Sequence, residues 1–166
     1  MAHPQAVSRP VRCAVITVSD TRTVESDRSG QIIQTLLSGA GHWVRDYRIV
    51  PDEPERIAAL CRTLVAQADI DGIILSGGTG IAPRDTTYDA LAALLDKTLP
   101  GFGEIFRQLS FQEIGSRALA SRAIAGVCQS TLIFSLPGSS KAVTLAMEAL
   151  ILPELPHLVS LLNPPD

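Results

Sequence analysis

Residues 72–89 read GIILSGGTGIAPRDTTYD. A short apolar run, rich in β-branched residues, ends at Ser76, and the spacing from Thr86 to Leu95 is helical. Between them lie Gly77, Gly78, Thr79 and Gly80, followed by Arg84 and Asp85. Strand, glycine loop and helix in this order make a unit of a parallel α/β sheet. Glycine in such a loop has two uses: it turns the chain where φ is positive, and it lets a ligand approach bare backbone.

The flanking sequence repeats the alternation. CAVITVS (13–19) reads as a buried strand, and SDTRTVESDRSG (19–30) as a polar loop. Asp27 to Ser38 carries Ile32, Ile33, Leu36 and Leu37 at helical spacing, with Gly39 or Gly41 as the stop. HWVRDYRIV (42–50) alternates, with Trp43, Arg45, Tyr47 and Ile49 opposite Val44, Asp46, Arg48 and Val50, which predicts a strand with one wetter face. Pro54 to Ala68 predicts a helix that starts on proline, with Ile57, Leu60, Cys61, Leu64 and Val65 along one side. Residues 100–115 predict another helix, broken at Gly115, and 116–123 a helical or irregular segment. IAGVCQ and TLIFSLP (131–137) read as short strands, and 141–150 and 153–162 as helices. The expectation is one α/β domain with a mostly parallel sheet over 11–166, preceded by a flexible tail at 1–10.

Composition narrows the function. The chain has 166 residues, 46% hydrophobic and 19% charged, as in a compact globular domain. Net charge is −3 and aromatic content 4%, so neither a basic field nor a stacking platform recruits nucleic acid. Anionic ligands must therefore be held by local groups. Cys13, Cys61 and Cys128 are odd in number and far apart, and His3, His42 and His157 are equally scattered, which argues against a disulfide framework and a zinc site. No apolar stretch is read as reaching the roughly 18–20 residues of a membrane span, and MAHPQAVSRP lacks the apolar core of a signal peptide. A cytoplasmic protein is expected.

In a parallel sheet, ligands bind outside the carboxyl ends of the strands. Four strand exits carry polar or glycine-rich material: Ser19-Asp20, Asp52-Glu53, Ser76 to Asp85, and Pro137, Gly138 and Ser139 through Lys141. Parallel strands bring all four to one edge. The GGTG turn is neither a G-x-G-x-x-G fingerprint nor a Walker loop. It is either a tight strand-to-helix turn or a nest of N–H groups for a phosphate. Asp52 stands three residues before Glu55 in a capping-box arrangement, and Asp85 is placed to cap the next helix. Together at one edge, the two carboxylates also suit Mg²⁺, which takes a few carboxylates plus phosphate oxygens. Arg84 either pairs with a surface acid or steadies a phosphoryl group. Lys141, at a helix start that disfavours cations, is either solvated or opposite a bound anion. Arg117 and Arg122 are further candidates whose direction the sequence leaves open. No Ser–His–Asp or Cys–His set sits at the strand exits.

IILSGGTGIAPRD resembles the signature of the MoaB/MogA-type molybdopterin-binding proteins of molybdenum cofactor synthesis. SDTRT, PGFGEIFR, SRAIAGV and TLIFSLPGSSKA also resemble that family in order and spacing, over roughly residues 11–162. The run from FGEIFR to PGSSKA is closer to MoaB. Ser76 and Ser140 depart from the residues many members have there. The resemblance implies a three-layer α/β/α fold and transfer of AMP from Mg-ATP to molybdopterin, with release of pyrophosphate. It matches Asp52 and Asp85 to two aspartates required in MogA-type enzymes, here expected to hold Mg²⁺, and Gly77–Gly80 and Gly138–Ser139 to loops lining the pterin and phosphate site. It also implies a homotrimer or homohexamer and a molybdate-inserting partner enzyme. Some MoaB members lack both aspartates and are silent, so a non-catalytic pterin-binding protein is the alternative. A generic nucleotide phosphohydrolase is a third.

Overall fold

A computed structural model describes residues 9–164. The expected tail falls outside the described residues except for its end, where Arg9 is anchored by its ion pair with Asp71 at 2.9 Å. Six strands form one sheet in the order β2-β1-β3-β6-β5-β4. β1 (Arg12–Val18) is buried along almost its whole length because it lies between β2 (Trp43–Val50) and β3 (Gly72–Ser76), parallel to both. β6 (Thr131–Leu136) continues the parallel set beside β3.

Alternate residues of the central strands face opposite helical layers. Cys13, Val15, Ile74, Leu132 and Phe134 meet α1 (Arg28–Gly39), α4 (Pro100–Ile114) and the C-terminal helices. Ala14, Ile16, Ile73, Leu75 and Ile133 meet α2 (Pro54–Val65) and α3 (Thr87–Leu94). Each helix supplies the expected stripe: Ile33 and Leu37 from α1, Ile57, Cys61 and Leu64 from α2. The predicted three-layer α/β/α architecture is the observed one.

Four details differ from expectation. β5 (Ile124–Cys128) runs antiparallel to β6, as a hairpin closed by Gln129 with φ 53°. No Asn-Gly or Asp-Gly pair marks that turn, so the sequence carried no hairpin signal. A two-residue strand, β4 (Lys97–Thr98), absent from the expectation, pairs with β5, while residues 115–120 form a 3₁₀ helix in line with the helical or irregular segment expected there. In β2 the alternation breaks: Cys13 pairs with Val44 but Ala14 pairs with Asp46, so Arg45 is the extra residue of a bulge. Val44 and Tyr47, expected on opposite faces, thus pack against the same core.

The fourth concerns the C-terminal helices. α5 (Ser140–Ala146), a π-helical turn (Met147–Ile151) and α6 (Leu152–Leu162) are continuous, and this 23-residue run is long and apolar enough to cross a membrane, contrary to expectation. Its stripe of Val143, Met147, Ile151, Leu155 and Val159 is buried in the core, while Glu148, Glu154 and two prolines interrupt the other faces.

Candidate functional site

The parallel strands β2, β1, β3 and β6 deliver four exits to one sheet edge, where side chains from different exits bond to one another. The Ser19 hydroxyl accepts the N–H groups of Thr21 and Arg22, turning the chain after β1. Asp20 Oδ1 accepts the Asp52 N–H at 3.1 Å, joining the first exit to the second. Asp20 Oδ2 accepts from Arg84 Nε at 3.1 Å and Nη2 at 2.6 Å, joining the first to the third. Arg84 therefore pairs with Asp20. That bond lowers the Asp20 carboxyl below its ordinary range and raises the guanidinium.

Asp52 does not cap its own helix. The N-cap of α2 is Glu53, whose side chain makes no cap bond among the described residues. Asp52 Oδ1 instead accepts the Thr86 N–H at 3.1 Å and the Thr86 hydroxyl at 2.6 Å, at the head of α3. Its Oδ2 faces Gly78, where an added Cβ would lie 2.6 Å away. Asp85 does not cap α3 either. Its Oδ2 accepts the Ala82 N–H at 3.0 Å and lies against Gly80. Among the described residues, Asp52 Oδ2 and Asp85 Oδ1 take no hydrogen bond. Both aspartates are thus held through one oxygen. No group of three or more His, Cys, Asp or Glu able to hold a metal exists among the described residues. Two carboxylates do suit Mg²⁺ that arrives on phosphate oxygens.

The glycine loop needs its glycines for its turn and for its close packing. Gly77 and Gly78 have φ of 102° and 69°. A Cβ on Gly77 would lie 2.3 Å from the Val18 carbonyl oxygen, so the loop folds tightly over β1. The Thr87 hydroxyl donates to the Gly77 carbonyl at 3.0 Å, the Gly78 carbonyl accepts the Thr87 N–H, and the Arg122 N–H donates to the Thr79 carbonyl at 2.8 Å. The Ser76 hydroxyl is buried with no hydrogen-bond partner among the described residues, at the start of this loop.

The exit of β6 completes the edge. The Gly77 N–H donates to the Leu136 carbonyl, and a Cβ on Gly138 would lie 3.3 Å from Gly77 Cα. Pro137 leads into this contact, and the Ser139 hydroxyl caps α5 by accepting the Ala142 N–H at 3.2 Å. Among the described residues, no hydrogen bond or ion pair joins Lys141 to the carboxylates. It lines a groove with Glu113, Ile114, Thr144 and Glu148, between α4 and α5.

Sequence reasoning missed Arg22, Asp27, Ser29, Thr86 and Thr87, and gave Arg122 no direction. Thr86 and Thr87 read as helix-start residues. Only the approach of β2's exit shows that Thr86 serves Asp52. Arg122 arrives because β5 is antiparallel, so its beginning lies where its neighbours end. Its guanidinium lies over Tyr88 at 4.5 Å and donates to Asp89 at 2.7 Å.

Known proteins resemble this chain in sequence and fold. Residues 14–157 match the sequence profile of the family described as "Probable molybdopterin binding domain". The molybdenum cofactor biosynthesis protein B of Halalkalibacterium halodurans is 54% identical over 158 residues, covering 95% of this chain and 93% of that one. A crystal structure of a molybdenum cofactor biosynthesis protein B superposes with a TM-score of 0.92 at 49% identity, covering 95% of this chain and 99% of the other. The molybdopterin biosynthesis enzyme MoaB of Thermus thermophilus superposes at 0.81 with 39% identity, covering 92% and 96%. With the profile spanning most of its length and relatives this similar along nearly all of it, the chain belongs to the molybdopterin-binding domain family, among its MoaB and MogA proteins.

Proposed function

We propose that this protein acts in molybdenum cofactor biosynthesis by transferring AMP from Mg-ATP to molybdopterin, releasing pyrophosphate. The role follows the names of its relatives. The observation that carries the chemistry is the pair Asp52 and Asp85, each fixed through one carboxylate oxygen and each keeping the other free beside the glycine loop.

In the transfer, a phosphate oxygen of molybdopterin attacks the α-phosphorus of ATP. The bond from that phosphorus to the bridging oxygen breaks, and pyrophosphate leaves with the electron pair. Nucleophile and electrophile are both anionic, so catalysis is positioning and neutralisation of charge. Asp52 and Asp85 would hold Mg²⁺, which supplies Lewis-acid neutralisation of the phosphates when bound. The exposed Arg84 exchanges Asp20 for phosphate at small cost, since water and salt screen an exposed ion pair. Loop N–H groups of Gly77–Gly80 and the Gly138–Ser139 turn would anchor the pterin phosphate.

The two hydrogen bonds that Thr86 donates to Asp52 favour a second reading, in which the protein holds molybdopterin without turnover and Asp52 only anchors α3. Purified protein with Mg-ATP and freshly prepared molybdopterin separates the two. Adenylylated pterin and equimolar pyrophosphate, lost in Asp52→Asn and Asp85→Asn, support transfer. A folded wild type that binds molybdopterin and forms no product supports the binding protein. ATP consumed without molybdopterin points to a phosphohydrolase. The exposed Ile105, Phe111, Ile114 and Leu119 on α4 and the following turn support a homotrimer or homohexamer in this reading, which light scattering counts. A molybdate-inserting enzyme is the partner that would take the product.

A further inference from the structure

Asp27 is fully buried among β1, β2 and α1, where a carboxylate is costly unless its charge is partnered. Its Oδ2 accepts from the Thr17 hydroxyl at 2.5 Å and from the Tyr47 hydroxyl. Its Oδ1 accepts the Gly30 N–H at 3.0 Å and lies 3.5 Å from Arg22 Nη1. Burial raises this carboxyl, but the bonds from Thr17, Tyr47 and Gly30 and the charge of Arg22 outweigh it, so the net shift is downward and the group stays ionised. None of these contacts involves Asp52 or Asp85.

What the buried charge holds lies at the site. Arg22 Nη2 donates to the Gly138 carbonyl at 3.2 Å, and the Ser29 hydroxyl donates to the same oxygen at 2.7 Å. Ser29 stands in the first turn of α1, which Asp27 caps. Both donors to Gly138 are therefore tied to Asp27, one through charge and one through the helix. A trans peptide directs its C=O and N–H to opposite sides. With the Gly138 carbonyl fixed toward α1, the Ser139 N–H points away from it. Gly138 also sits against Gly77, so its depth sets the spacing of the two glycine loops.

We propose that Arg22 and Ser29 are positioning residues that hold the Gly138 turn at a set depth against Gly77, keeping its backbone N–H face toward a phosphate-bearing ligand, with Asp27 as the buried counter-charge that fixes Arg22. This rests on the function proposed above. It explains why a charge is buried at a distance from the two aspartates, and why an arginine in a polar loop has its guanidinium divided between a carboxylate and a carbonyl.

The test uses the full chain and the variants Arg22→Met, Ser29→Ala, their double and Arg22→Lys. Arg22 is about one-third exposed, and without it Asp27 keeps its bonds from Thr17, Tyr47 and Gly30. Two measurements are made: the Kd of freshly prepared molybdopterin, with KM and kcat for AMP transfer, and amide hydrogen exchange at 77–80 and 138–142. The double variant is expected to raise Kd and KM about tenfold, with kcat within about twofold. Exchange should quicken at both loops and not across the sheet, and Arg22→Lys should recover part of the loss. Unchanged Kd with unchanged exchange at both loops overturns the proposal, as does a uniform rise in exchange across the fold. If wild type binds no molybdopterin, the functional reading fails. Exchange then decides the positioning: loosening confined to both loops supports it, and no change sinks it.

Discussion

Asp52 and Thr86 are joined by two hydrogen bonds to one carboxylate oxygen, which fasten the exit of β2 to the head of α3. The aspartate is thus both a structural tie and a candidate ligand, through different oxygens. On the proposed function, Asp52→Asn keeps an acceptor for Thr86 but loses the charge that would attract Mg²⁺. Its thermal midpoint should stay close to wild type while AMP transfer falls by about 100-fold or more. Asp52→Ala removes the tie as well and should lose about 1–2 kcal/mol in urea unfolding. Equal losses of stability in both variants would tell against separate roles for the two oxygens.

Gly78 has φ 69°, and a Cβ there would lie 2.2 Å from the Thr87 hydroxyl and 2.6 Å from Asp52 Oδ2. Gly78→Ala is expected to destabilise by about 2 kcal/mol or more and to displace Asp52. Gly39→Ala, whose Cβ would meet nothing within 4 Å, is the control, with little change expected in melting and activity. A Gly78→Ala protein as stable and active as the control would overturn the reading of the loop.

The Tyr47 phenol is pushed above its ordinary range, first by burial and then by its bond to Asp27. It should resist ionisation in a spectrophotometric titration through the range where free tyrosine ionises, about pH 10. Tyr47→Phe leaves Asp27 one donor short and should cost about 2 kcal/mol of stability. A phenol titrating near pH 10 in the native protein would contradict the contact.

Asp71 is buried at the start of β3 and accepts from Arg9, from the Arg12 side chain and from the Arg12 N–H, at 2.8–2.9 Å. Burial raises its carboxyl, but the bonds from Arg12 and Arg9 outweigh that and hold it well below the usual carboxylate range. A lowered folded pKa stabilises above the unfolded value, about 3.9, and that stability is lost as pH falls toward the folded value. The urea midpoint of wild type should therefore drop below about pH 4 more steeply than that of Asp71→Asn, which starts lower at pH 7. Parallel pH profiles for the two proteins would contradict this.

Burial pushes the Cys13 and Cys61 thiols up to about 12, so little thiolate exists at neutral pH. In a thiol–disulfide reagent assay at pH 8, both should stay unreacted in the folded protein and react once it unfolds in urea. Rapid native labelling of Cys13 would show that β1 is open to solvent.

The architecture was legible because burial imposes periods on the sequence. The unbroken apolar runs of β1 and β3, the helical stripes of α1 and α2, and the glycines after Ser76 each follow from local rules. With parallel strands assumed, the gathering of Asp20, Asp52, the glycine loop and Gly138 at one edge also followed. The antiparallel course of β5 was not legible, since its turn at Gln129 lacks the usual residues. Nor was the bulge at Arg45, because an extra residue leaves no mark in composition, yet it turns Tyr47 onto the face that reaches Asp27. Both aspartates read as caps for their own helices. The neighbours they received, Thr86 and the Ala82 N–H, depend on how separate exits pack. The sequence by itself determined five of the six strands and the edge where the four exits gather, because these depend on periodicity within short segments. Only the tertiary structure decided which oxygen of each aspartate is occupied, that Arg84 pairs with Asp20, and that Asp27 reaches Gly138 through Arg22, because those contacts join residues whose approach no local pattern encodes.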